Sequence, residues 1–251
     1  MYLWKYWRET RIAFGVSLLG VALLLLLVLK EHGIVTSGGP SIDQLPKVLV
    51  VLLIVQSVPL GFLGWLLGSF GVGRDLGEGS GSFVFTRPGS RASFVWRDWA
   101  FGTAELLTIT VLLNLVIGLQ LYRIFAAGIQ GGALPASPAV SPVLSVSLTC
   151  FTSFLLAALI FSLTYFSTIL LKSSKGTMLG AGALLGYVIL KAVVEHYWPS
   201  VQLPGLLPDL PVLAQTVSGV PGSLWLSMAL RGVVVLLFPF AAQLVLEKSD
   251  L

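Results

Sequence analysis

Six apolar stretches, each about long enough to cross a lipid bilayer and parted by short polar segments, limit what this chain can become more than any other feature. Crossing a hydrocarbon core of about 30 Å takes roughly 20 predominantly apolar residues in a helix. Windows of that kind fall at about residues 12–29, 48–70, 100–121, 143–171, 178–194 and 224–246. They are continuous runs, whereas the strands of a membrane β-barrel alternate lipid-facing and lumen-facing side chains. Helices also satisfy every backbone polar group within the segment, as lipid requires. The expected fold is therefore all-α, a single transmembrane domain over residues 1–251 with six membrane-spanning helices. With 56% hydrophobic and 10% charged residues and a mean hydropathy of +0.93, a soluble fold would have too little polar surface to cover itself.

Orientation follows from the Lys and Arg residues of the connecting segments. With the N-terminus inside, the inner segments hold ten, namely Lys5, Arg8, Arg11, Arg74, Arg87, Arg91, Arg97, Lys172, Lys175 and Lys248, and the outer ones three, Lys30, Lys47 and Arg123. Both termini are expected in the cytoplasm, and the sequence pI near 9.3 reflects topology. A nucleic-acid partner is not expected, because no folded polar domain exists to carry a basic face. The first span reads as a retained anchor. Its exit at Leu29-Lys30-Glu31-His32 has no small-residue cleavage site, and its apolar run exceeds a signal-peptide core. The single cysteine, Cys150 in the fourth span, excludes an internal disulfide or a cysteine-based metal cluster. No metal site is expected, since His32 and His196 stand apart from carboxylate clusters.

Residues 1–11 interleave Tyr2, Trp4, Tyr6 and Trp7 with Lys5, Arg8 and Arg11, a pattern suited to the headgroup layer and read as a short interfacial helix. The outer stretch 196–223 carries five prolines and no Lys or Arg yet stays rich in Leu and Val, which fits a re-entrant element packed on protein. The inner segment 71–99 has the most room for docking. It opens with a glycine-rich turn, continues through Thr86-Arg87-Pro88-Gly89-Ser90-Arg91, and ends in an amphipathic stretch in which Phe94 and Trp96 to Trp99 are expected to lie against the membrane. Its glycines are not a Walker A loop, because no lysine follows any of them at the required spacing. The chain is thus expected to bind no nucleotide and to catalyse nothing itself.

This arrangement resembles the membrane subunit of a type-2 ATP-binding cassette exporter, in which six spans follow an inner interfacial helix. The local likeness is strongest between spans two and three, where Asp75 and Glu78 precede the Thr86 to Arg91 turn and the Phe94 to Trp99 helix. Gly89 departs from the branched apolar residue more usual there, and little sequence is left for a large outer domain. The resemblance implies a permease of a bacterial plasma membrane that works as a homodimer or heterodimer. It also implies a separate ATPase subunit that binds ATP and Mg, docked through a coupling segment at Glu78, Thr86, Arg87, Pro88, Ser90 and Arg91. Read without it, the residues also admit an ATP-independent carrier, a channel or a membrane scaffold.

Ionisable residues inside spans are costly and so receive individual readings. Glu105, about one turn into the third span, is expected to pair with Arg97 or Arg91. Lys191 and Glu195 share a helix face four residues apart and are expected to form a local pair. Arg231 is expected at the outer boundary of the sixth span, following a re-entrant piece over 224–229. The alternative places it on a cavity. Asn114 and Gln120 are expected to hydrogen-bond between helices.

Overall fold

The computed structural model describes residues 2–31, 45–79, 91–130, 142–173, 175–198 and 222–248. Among these residues all regular secondary structure is helical. The helices are α1 (Tyr2–Glu31), α2 (Leu45–Gly68), α3 (Val72–Gly77), α4 (Arg91–Gln130), α5 (Pro142–Leu171), α6 (Gly176–Tyr197) and α7 (Gly222–Lys248). Three of them, α5 from Ser147, α6, and α7 from Trp225, are long and apolar enough to cross a membrane.

Helix α5 is the centre of the bundle and packs against α2, α3, α4, α6 and α7. Ala157, Ala158, Phe161, Tyr165 and Ile169 are buried on it, and so are the hydroxyl residues Thr149, Thr152, Ser153, Ser162, Thr164, Ser167 and Thr168. Its small residues admit α2 at backbone contact. A Cβ on Gly64 would stand 2.5 Å from the Ala157 carbonyl oxygen, and one on Gly68 would stand 2.7 Å from Thr164 Cβ. Small residues one turn apart replace hydrophobic driving force with close van der Waals packing where lipid is the solvent. Higher on the same seam the Gln56 amide donates to Ser153 Oγ at 2.7 Å. Because residue numbers rise together on both sides of this seam, α2 and α5 run parallel.

Helix α4 crosses α5 antiparallel, with the Trp99 indole donating to Ser162 Oγ at 2.8 Å and the Tyr165 hydroxyl to the Val95 carbonyl at 3.2 Å. Helix α6 packs on α5 only at its start, where Gly176, Thr177 and Gly180 are buried. Beyond that it diverges, and Leu185, Val188, Ile189, Leu190 and Val193 are exposed.

Four expectations are corrected. Residues 2–31 form one unbroken helix, so the N-terminal aromatic-basic stretch is the first third of α1 and no separate element. Trp7 packs edge-on against Phe14 of its own helix and against Phe101 of α4. The Phe94 to Trp99 stretch likewise belongs to the 40-residue α4. Phe94, Val95 and Asp98 are buried in the bundle rather than laid on its outside. Asn114 donates within its own helix, to the Thr110 carbonyl at 2.8 Å, and bonds to no other helix among the described residues. Finally, α7 runs unbroken from Gly222, which puts Arg231 more than two turns inside a helix and not at its first turn. The side chain of Gln120 and most of the 196–223 stretch lie outside the described residues.

Candidate functional site

One end of the bundle gathers the start of α1, the end of α2, α3, the start of α4, the α5–α6 turn and the end of α7. Arg8, Arg11, Arg74, Arg91, Arg97, Lys172, Lys175 and Lys248 all fall in these pieces. The expected Lys and Arg asymmetry is therefore an asymmetry of the folded bundle.

Helix α3 is the distinctive element of this end. Gly71 precedes it with φ 87°, a left-handed conformation that glycine adopts without a Cβ penalty and that turns the chain back after α2. The Val72 amide, at the first helical position and without a partner in its own helix, donates to Asp98 Oδ2 of α4 at 3.0 Å. Asp98 is fully buried. A carboxylate accepting from a helix's first turn satisfies a backbone donor and complements the helix dipole together. On its other side α3 lies flush on α5, where a Cβ on Gly73 would meet Thr168 and one on Gly77 the Lys172 carbonyl. Helix α3 is thus clamped between α4 and α5, and α5 ends beside it with Lys172 at φ 46°.

At the far end of α3, Arg74 Nε donates to Glu78 Oε1 at 2.6 Å, and its guanidinium lies 5.8 Å from the centre of the Phe70 ring. The hydrogen bond that Arg74 donates to the Glu78 carboxylate raises the Arg74 pKa above its ordinary value, against the lowering effect of burial. Arg74 and Glu78 stand four residues apart, the spacing of a local ion pair. Arg91, which begins α4, donates through its guanidinium to the Leu246 carbonyl of α7 at 3.0 Å. About one turn further along these helices, the Trp96 indole donates to Gln243 Oε1 at 2.8 Å. Arg91 therefore fastens α4 to α7 from the base of the preceding segment. Thr86, Arg87, Pro88 and Ser90, the remainder of the expected docking set, lie outside the described residues.

Glu105 meets neither Arg97 nor Arg91. Its Oε1 accepts the Thr10 hydroxyl of α1 at 2.9 Å. The distance along α4 explains this, because Arg91 is nearly four turns away and engaged by α7, and Arg97 is exposed. Lys191 and Glu195 form the expected pair on α6.

The sequence reading missed Asp98, whose role depends on a donor 26 residues earlier, and it missed the glycine seam. The Gly64-x-x-x-Gly68 spacing was the available signal for the seam. Comparison with known protein families, curated proteins and solved structures finds no match for this chain.

Proposed function

We propose that this chain is the permease subunit of an ATP-binding cassette exporter in a bacterial plasma membrane. In this reading α1, α2, α4, α5, α6 and α7 are its six spans, both termini are cytoplasmic, and it pairs with a second permease subunit. A separate ATPase subunit binds ATP and Mg and hydrolyses the nucleotide. The single observation that carries the reading is the clamping of α3. An ATPase that closes on ATP has to push on the membrane bundle through a short stiff element, and α3 is fixed to α4 by Asp98 and to α5 by Gly73 and Gly77. Displacement of α3 passes directly to α5, the helix on which most of the bundle packs. The segment carrying Arg87 and Pro88 leaves α3 beside Glu78 and rejoins the bundle at Arg91, so both of its roots are anchored. Cations there match carboxylates of a partner. The exposed length of α6 offers surface for the second permease subunit or for lipid.

The test is purification of the tagged chain from its own membrane in mild detergent, with co-purifying proteins identified by mass spectrometry. A P-loop ATPase that accompanies the wild type and is lost from a Glu78→Ala/Arg87→Ala variant supports the reading. An Arg91→Ala variant belongs beside it, because that guanidinium also holds α7. Absence of any ATPase under mild conditions overturns the reading in favour of a carrier, a channel or a scaffold.

A further inference from the structure

Between the end of α2, α3 and the start of α6 lies an open cavity of about 440 Å³, a size typical of small-molecule sites. Its apolar wall is Trp65 and Met178, and its cations are Arg74 and Lys175. The Trp65 indole donates to the Thr177 carbonyl at 3.2 Å, which fixes the ring across the junction of α2 and α6. Arg74 is held by Glu78 through Nε alone among the described residues, so its terminal amino groups remain for another acceptor. Glu78 is also a cavity residue, and Arg74 offsets its charge. Among the described residues the Lys175 ammonium has no ion-pair partner, and the side chain is exposed.

We propose that this cavity binds the phosphate of a membrane phospholipid, with Lys175 and Arg74 holding its oxygens and the acyl chains lying along α6. Two cations, Arg74 of α3 and Lys175 of the α5–α6 turn, the first oriented by a carboxylate, suit a phosphate group. Three observations point to lipid as its source. The mouth is flanked by Met178, 77% exposed, and continues into the exposed apolar face of α6. A tryptophan at the end of an apolar helix marks the headgroup level. The cavity also sits at the basic end, where anionic headgroups are attracted. The inference is independent of whether an ATPase drives the bundle.

Delipidated protein in detergent is titrated with phosphatidylglycerol and followed by native mass spectrometry, with diacylglycerol and inorganic phosphate as competitors. The expected result is one tightly held phospholipid per chain, bound about tenfold more weakly by Lys175→Gln, as loss of one charge-assisted contact implies. Lys175→Arg restores binding, and Arg97→Gln, which removes an exposed cation of the same end, leaves it unchanged. Unaltered binding by Lys175→Gln, an equal loss in Arg97→Gln, or equal competition by diacylglycerol would overturn the proposal. Competition by inorganic phosphate at concentrations equal to the lipid would overturn the lipid source and assign the site to free phosphate.

Discussion

Thr10 donates its hydroxyl to Glu105 at 2.9 Å across 95 residues of sequence, and this bond joins the first helix to the fourth. Glu105 is 6% exposed, and its second oxygen, Oε2, has no hydrogen-bond partner among the described residues. A Gln side chain keeps the oxygen that faces Thr10 and removes the acid. Glu105→Gln is expected to match or exceed the wild type in stability, whereas Thr10→Val loses about 0.5–1.5 kcal/mol, the usual worth of a hydrogen bond between membrane helices. Denaturant titration in detergent micelles distinguishes the two. A Glu105→Gln cost larger than that of Thr10→Val would show that the acid itself is required.

Glycines of this chain divide by what surrounds them. Gly64 lies against the Ala157 carbonyl, while Gly186 has open space where its Cβ would be. Gly64→Ala forces α2 off α5 and is expected to cost about 1–3 kcal/mol, the range for overpacking. Gly186→Ala is expected to be neutral or slightly stabilising, since alanine is the better helix former. Thermal unfolding in detergent of the two variants should separate them clearly, and equal effects would contradict the seam.

Asp98 is predicted to hold α3 in place. Asp98→Ala removes the acceptor of the Val72 amide and should release α3, seen as faster hydrogen exchange over residues 72–77 and at least tenfold faster tryptic cleavage after Arg74. Asp98→Asn retains an accepting oxygen and is expected to stay near the wild type in both readings. Unchanged exchange in Asp98→Ala would mean that Gly73 and Gly77 suffice to dock the helix.

The basic end is predicted to face the cytoplasm. In a Cys150→Ser background, a cysteine at Lys175 should be shielded from an impermeant maleimide in intact cells. One at Trp198, beyond the opposite end of α6, should be labelled. The reverse pattern would invert the topology and remove the basis for a cytoplasmic ATPase partner.

Hydropathy located the long helices well. The windows 143–171, 178–194 and 224–246 correspond to Pro142–Leu171, Gly176–Tyr197 and Gly222–Lys248, because a run of apolar residues is a property of local sequence. It failed where a helix continues past its apolar run. Arg91 to Trp99 reads as a surface element since it carries Arg97 and Asp98, yet it is the first quarter of α4, with Asp98 buried because the Val72 amide meets it there. Charge within a stretch marks polarity and not exposure. The partner of Glu105 was illegible for the same reason, since the hydroxyl that reaches it belongs to another helix. Of the expected docking set, Arg91 has a contact that the sequence does not disclose, with the last helix, whereas Glu78 pairs with Arg74 four residues before it.

The parallel pairing of α2 with α5 also governs how the chain can be made. Gln56 meets Ser153 97 residues later, and at about 5–20 residues per second of synthesis that interval is roughly 5–20 s. For most of it α2 is complete while the helix that will cover its glycine face does not yet exist. Assembly of this bundle is therefore ordered by the arrival of its centre, and a ribosome stalled shortly before residue 142 leaves behind a nascent chain whose best-fitting surface is still open.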